Sequence, residues 1–179
     1  MALNVGDKAP DFELTTKSAE GPKKIKLSGN LGKKNTVLLF FPMAYTGVCT
    51  KEMCEVTREL NTYTSLNADV LGISGDNPFA QAAWAEKEKI TVPLLSDYEH
   101  KVARAYGIAY DSFLPEKNLG MGGVPKRSAF VIDKLGVVRY AESSDDPGQL
   151  PNFEKIKGAL AQLKLSASNH SPAFSTPRW

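Results

Sequence analysis

The chain has 179 residues, 42% of them hydrophobic and 23% charged, which is the make-up of an ordinary globular protein of one-domain size. Its 22 basic residues nearly balance 20 acidic ones, and the densest lysines (Lys23, Lys24, Lys26, Lys33, Lys34) read as loop and strand-edge decoration, so no nucleic-acid partner is expected. The longest apolar run, Val37 to Phe41, is far too short to cross a bilayer, and Met1 to Lys8 lacks the parts of an export signal; a cytoplasmic protein with no membrane partner is the expectation.

Residues 1–35 read as an irregular N-terminal extension with two strand fragments, Asp11 to Leu14 and the alternating Ile25-Lys26-Leu27. Thr36 to Phe41 is a continuous apolar run stopped by Pro42, as expected of a strand buried on both faces. From Val48 to Leu66 the apolar residues Met53, Val56, Leu60 and Tyr63 recur at helical spacing. A second buried strand, Asp69 to Ser74, leads to a helix from Pro78 to Lys89, with proline acceptable in its first turn. Val92 to Leu95 is short and extended, Tyr98 to Tyr106 is helical, and Asp111 to Gly123 is a long glycine-bearing connection. Ser128 to Ile132 and Val137 to Ala141 flank Asp133-Lys134-Leu135-Gly136 as a β-hairpin, and an amphipathic helix follows from Phe153 to Leu163. This order implies an α/β domain over residues 1–165, a mixed central sheet flanked by helices, and it is compatible with a thioredoxin-like fold. Residues 166–179, rich in Ser and Pro, read as a mobile tail.

Two cysteines, Cys49 and Cys54, make no secreted disulfide framework; in a reducing compartment such a pair points to redox chemistry, half a metal site, or nothing. Cys49 follows a buried strand and a short loop, in the first turn of a helix. Unpaired backbone N–H groups and the positive end of the helix dipole meet there and favour a thiolate. The bland alternative is a small buried hydrophobe. His100 and His170 read as surface residues, and with the two cysteines they show no zinc-ligand spacing. Gly120-Met121-Gly122-Gly123 lacks the preceding strand of a nucleotide fingerprint and reads as a flexible loop. Cys-x-x-x-x-Cys replaces the Cys-x-x-Cys of a dithiol oxidoreductase, which leaves that activity as the nearest enzymatic rival. A non-catalytic binding subunit is the rival of another class.

Displacement by a cysteine sulfur needs that sulfur ionised and donors for the atoms on which charge develops. A fixed guanidinium meets both needs, since it stays charged and presents several donors in one plane. Pro42, Thr46 and Cys49 form Pro-x-x-x-Thr-x-x-Cys directly after an apolar strand. This pattern resembles the active-site signature of peroxiredoxins of the alkyl hydroperoxide reductase and thiol-specific antioxidant type, close to the bacterioferritin-comigratory-protein and one-cysteine bacterial subgroups. The likeness extends through Asp7 to Phe12, Leu71 to Ser74, Pro93 to Asp97 and Val124 to Asp133, and covers about residues 4–163 in one register.

The resemblance implies a thioredoxin-like fold and a thiol-dependent peroxidase acting on hydrogen peroxide and organic hydroperoxides. Cys49 would be the peroxidatic nucleophile, passing to sulfenic acid. Thr46 would offer its hydroxyl to the thiolate and the peroxide, Pro42 would shield the sulfur, and Arg127 would sit against Cys49, held by Glu52. No metal, haem, flavin or nucleotide is needed, because sulfur carries the electrons. Cys54 has the spacing of a resolving cysteine that shares the helix. In an intact helix that spacing separates the Cα atoms by about 8.7 Å, beyond the roughly 7 Å a disulfide tolerates. Pairing therefore requires the first turns to unwind, with a thioredoxin-like protein reversing the oxidation. The alternative keeps Cys54 as a core residue and leaves resolution to an external, low-molecular-weight thiol. Monomer and homodimer are both open.

Overall fold

The computed structural model describes residues 1–169. One seven-stranded mixed sheet runs through the molecule in the order β2-β1-β5-β4-β3-β6-β7. At its centre β3 (Asn35–Phe40) lies parallel to β4 (Ala68–Ser74), and β4 lies parallel to β5 (Leu94–Ser96). On the other side of β3 the antiparallel hairpin of β6 (Ser128–Ile132) and β7 (Val138–Ser143) completes the sheet. Every residue of β3 is buried because its two faces feed two cores. Val37 and Leu39, with Phe41 just beyond, pack with Met53, Val56, Trp84 and Ile156 of the helices on one side. Leu38 and Phe40 pack with Ile73, Tyr106, Ile108 and Phe130 on the other. That is why the strand reads as an unbroken apolar run rather than an alternation.

The expected elements are present, with four differences that have local causes. The N-terminal extension is a regular hairpin, β1 (Glu13–Ser18) and β2 (Gly21–Lys26), rather than two fragments. Asp11 is an anchor and not a strand residue: its Oδ1 accepts from the backbone N–H groups of Phe12 and Ser28, each at 2.9 Å. The helix expected over Val48 to Leu66 is two helices, α1 (Gly47–Arg58) and α2 (Leu60–Ser65). The break at Glu59 involves no proline or glycine; its N–H bonds Val56 O at 3.1 Å, a tightened turn, and Lys157 on the last helix pairs with its carboxylate at 2.9 Å. The third helix, α3 (Pro78–Glu88), falls where expected and closes on Lys89 in the left-handed conformation.

The helix expected over Tyr98 to Tyr106 shortens to α4 (Lys101–Ala105) because His100 adopts a left-handed backbone. Asp97 caps it instead, accepting from the N–H groups of Val102 and Ala103 at 3.1 and 2.8 Å. His100 is half-buried, not a surface residue: its ring lies against the α-carbons of Gly75 and Gly123, and its Nδ1 is buried without a hydrogen-bond partner. The last helix, α5 (Phe153–Ser168), runs past the expected boundary at residue 165. The hydroxyl of Ser168 bonds back to Leu165 O at 2.8 Å there. The rest of the expected tail, with His170, lies outside the described residues. Among the described residues no helix is long and apolar enough to cross a membrane.

Gly72 on β4 sets the distance between sheet and α1. A Cβ there would stand 2.8 Å from Leu94 and 3.2 Å from the Met53 sulfur, so only glycine lets α1 rest this close to β4.

Candidate active site

The C-terminal end of β3 delivers the chain to the site. Phe41 prolongs the parallel ladder by one bond, its N–H to Ile73 O at 3.0 Å, and Pro42, buried and without a donor, ends it. The loop that follows passes through Tyr45, exposed and in the left-handed region with φ 63°, and enters α1 at Gly47. Cys49 therefore stands in the first turn of α1, as expected, with its side chain turned inward and the residue only 1% exposed. Tyr45, Thr46 and Gly47, just before it in the chain, are exposed, so the buried sulfur lies close in sequence to a loop at the surface.

Arg127 reaches this sulfur because of strand order. β6 runs antiparallel to β3 with Ser128 opposite Phe40, so the residue just before β6 lies beside the exit of β3. Arg127 is 3% exposed; its Nη2 donates to Cys49 Sγ at 3.1 Å and its Nη1 donates to Glu52 Oε2. The Pro147 carbonyl accepts from Nε at 3.0 Å and from Nη2 at 2.8 Å, which fixes the plane of the guanidinium. Burial works against the charge of Arg127, but the carboxylate of Glu52 and the sulfur of Cys49 hold it more firmly protonated than a free arginine. Glu52, one helical turn after Cys49, is fully buried. Desolvation pushes its carboxyl up to about 7 despite the opposing pull of Arg127, and Glu142 and Glu55 add to the rise.

Of the residues picked from sequence, Cys49, Arg127 and Glu52 are in direct contact, and Pro42 lies buried beneath the loop. Thr46 occupies the N-cap position of α1 without a side-chain cap bond; its hydroxyl donates to Met43 O at 2.7 Å. Cys54 is apart from the cluster. It is half-buried on α1, and its thiol faces Glu88 O at the end of α3 at 3.7 Å. Both cysteines are free.

Other residues build the site and were not expected from sequence. Asp76, just past β4, clamps the loop: its Oδ2 accepts from Ala44 N–H at 2.8 Å and from the Ser74 hydroxyl at 2.7 Å. Gln81 donates to Ser74 Oγ at 2.9 Å and to Leu95 O at 2.8 Å, and Ser96 donates to Asp76 O at 2.6 Å. Trp84 packs on Phe41 with ring centres 5.4 Å apart and donates to Thr50 Oγ1 at 3.1 Å. The only hint in the sequence was the position of Asp76 and Gln81 just after a buried strand, a pattern shared by many surface turns.

A sulfur at a helix start and a fixed guanidinium in contact with it suit attack on an electrophile whose leaving atom takes up negative charge. A surface groove lined by Phe12, Leu14, Phe79 and Tyr98 includes none of Cys49, Thr46 and Arg127. Among the described residues no cluster of three or more His, Cys, Asp and Glu is placed to hold a metal ion.

Comparison with known proteins agrees with this arrangement. The model of the AhpC/TSA family matches residues 5–141. Alkyl hydroperoxide reductase E of Mycobacterium tuberculosis is 34% identical over 163 residues, spanning 90% of this chain and 98% of its own. The chloroplastic 2-Cys peroxiredoxin BAS1 of Spinacia oleracea is 31% identical over 144 residues, 76% of this chain and 51% of its own length. Among solved structures, peroxidoxin BcpB of Mycobacterium tuberculosis superposes with a TM-score of 0.73 at 32% identity, covering 91% of this chain and 97% of its own. The reduced 2-Cys peroxiredoxin of Plasmodium vivax shares the fold, with a TM-score of 0.80 at 23% identity over 95% of this chain and 88% of its own.

Proposed function

The chain belongs to the AhpC/TSA family, as a peroxiredoxin and hydroperoxide reductase whose peroxidatic Cys49 lies against Arg127, and we propose that its oxidised sulfur is resolved by Cys54. The observation that carries the assignment of roles is the 3.1 Å bond from the Arg127 guanidinium to a Cys49 sulfur buried at the start of a helix.

In this reading the thiolate attacks the near oxygen of hydrogen peroxide or an organic hydroperoxide along the O–O axis. Arg127 stabilises the charge that grows on the far oxygen, and Glu52 and Pro147 O keep its donors aimed. Thr46, whose hydroxyl proton is already committed to Met43 O, presents its oxygen as an acceptor for the peroxide O–H. Pro42, buried just past the end of β3, offers no competing donor. The product is Cys49 sulfenic acid and an alcohol or water.

Recycling through Cys54 requires α1 to open. Five residues turn a helix through about 140° beyond one full turn, so the two sulfurs face different sides, Cys49 toward Arg127 and Cys54 toward Glu88 O. Two features make the first turn of α1 easy to release. Its N-cap residue has no side-chain cap bond, and Gly47 is exposed with nothing packed where a Cβ would lie. A thioredoxin-like protein or a low-molecular-weight thiol then reduces the Cys49–Cys54 disulfide, in the cytoplasm, on a monomer or homodimer.

One experiment tests both parts. Reduced protein receives one equivalent of hydrogen peroxide, is quenched within about a second, and the intact chain is weighed, on the time scale of thiol chemistry. Loss of two hydrogens mapped to Cys49 and Cys54 is the expected outcome. A gain of one oxygen on Cys49 that persists would assign resolution to an external thiol. An unchanged mass would refute the peroxidase roles of the site.

A further inference from the structure

Arg127 is the only lysine, arginine or histidine that is buried among the described residues, and it touches two groups that can each carry a negative charge. Cys49 Sγ meets Nη2 and Glu52 Oε2 meets Nη1. The second oxygen of Glu52, Oε1, is buried with no hydrogen-bond partner. The other charged groups that act on Glu52 are Glu55 on α1 and Glu142 on β7, both of the same sign as its carboxylate. The pocket thus holds one cation for two acids, with a carboxylate oxygen that nothing in the protein solvates. A second negative charge there would be desolvated and unpaired, the most costly arrangement for an ionised group.

We infer that Glu52 carries a proton while Cys49 is a thiolate and releases it once the sulfur is oxidised to a neutral state, so that a single negative charge passes from sulfur to carboxylate beneath one fixed guanidinium. The inference rests on the peroxidase reading of Cys49. The oxidative half-reaction balances with this exchange included. Cys49 thiolate, protonated Glu52 and ROOH give Cys49 sulfenic acid, ionised Glu52 and ROH. The O–O bond breaks and an S–O bond forms; sulfur loses two electrons and the peroxide gains them. The leaving oxygen takes one proton from solvent as Glu52 yields one to it, so the charge of the buried cluster is the same before and after. Reduction of the sulfur back to a thiolate returns the proton to Glu52.

The exchange gives the buried glutamate a task beyond holding Arg127 in place. An acid solvated by water at its position would stay ionised throughout and would put a second negative charge beside the thiolate. Desolvation of Glu52, which favours its protonated form near neutral pH, is in keeping with the exchange. Once the sulfur is neutral, Arg127 has no other anion to serve, and the full attraction of the ion pair acts on the carboxyl.

Glu52 acts through Arg127 and is a positioning residue, so the test reads its proton directly. The infrared difference spectrum of the full-length reduced protein is recorded at about pH 6, below the raised titration of Glu52, before and after one equivalent of hydrogen peroxide. The expected change is loss of about one protonated-carboxyl C=O band per Cys49 oxidised, shifted by isotope-labelled glutamate and missing in Glu52→Gln. Should that variant not fold, the labelled wild-type protein alone decides. The mass of Cys49 is measured on the same sample. Oxidation of Cys49 with no carboxyl band lost would overturn the exchange and leave the peroxidase intact. A Cys49 that is not oxidised at all would overturn the peroxidase reading, and the exchange with it.

Discussion

Replacing Arg127 with methionine removes the buried cation while keeping most of its volume. The expected consequences separate into stability and rate. On stability, the substitution leaves the protonated carboxyl of Glu52, fully buried, without the group it bonds, and a buried polar group left unpaired costs about 1–3 kcal/mol. The two bonds to Pro147 O are lost with it. On rate, the charged donor at 3.1 Å from Cys49 Sγ is gone. A hydrogen bond to a charged group is worth about 1.5–3 kcal/mol. At about 1.4 kcal/mol per tenfold, oxidation of Cys49 should slow roughly 10- to 150-fold at neutral pH. Adding Glu52→Gln to Arg127→Met then reads the charge of Glu52. The double variant should regain little of the stability, because the Glu52 carboxyl is already uncharged in reduced protein, and none of the rate. The assay is urea unfolding of reduced protein beside stopped-flow mixing with hydrogen peroxide, followed by tryptophan fluorescence. A single variant that reacts within about twofold of wild type, against the loss worked above, would refute the claim that Arg127 acts at the sulfur. A double variant much more stable than the single one would mean that Glu52 is ionised in reduced protein.

Three further outcomes are expected. Asp76→Ala removes the acceptor for Ala44 N–H and the Ser74 hydroxyl, so it should cost about 1.5–3 kcal/mol in urea unfolding and slow alkylation of Cys49 by loosening the loop before it; unchanged alkylation would mean the clamp does not position the sulfur. Gly72→Ala should destabilise by about 1–3 kcal/mol, since its Cβ would press on Leu94 and Met53, and a neutral result would show that α1 moves off the sheet freely. For pH, the folded state holds the Glu52 proton up to about 7, where the unfolded chain releases it near 4.5. Its contribution is therefore fully present below about 4.5 and is lost as pH rises through about 7. The unfolding free energy of reduced wild type relative to Glu52→Gln should fall across that window by up to about 3 kcal/mol. A difference that is flat with pH would mean that the carboxyl is not held protonated.

Much of the site was legible because its elements are local. The apolar run before Pro42 specifies a two-sided strand, and the helical recurrence of Met53 and Val56 specifies which side of α1 faces the sheet. Together they place Cys49 at a strand-to-helix junction before any contact is known. The hairpin of β6 and β7 was equally plain, since Asp133 accepts from Leu135 and Val137 within its own turn, at 2.9 and 3.0 Å. Glu52 and Arg127 could be named from sequence only through the family pattern; taken singly, Arg127 reads as a surface charge and Glu52 as a favourable acid in the first turn of a helix.

What only the tertiary structure decided is what depends on strand order and on contacts far apart in the chain. Arg127 lies 78 residues after Cys49, and it arrives because β6 pairs with the central strand β3. The break at Glu59 leaves no mark in the sequence, for no proline or glycine is there and a lysine on α5 holds the turn. Asp76 reaches Ala44 across 32 residues by the parallel pairing of β3 with β4. The protonation of Glu52 follows from burial, which is a property of everything packed around it. Periodicity and turn chemistry act over a few residues and can be read directly, whereas the field at a buried charge is summed over the whole fold.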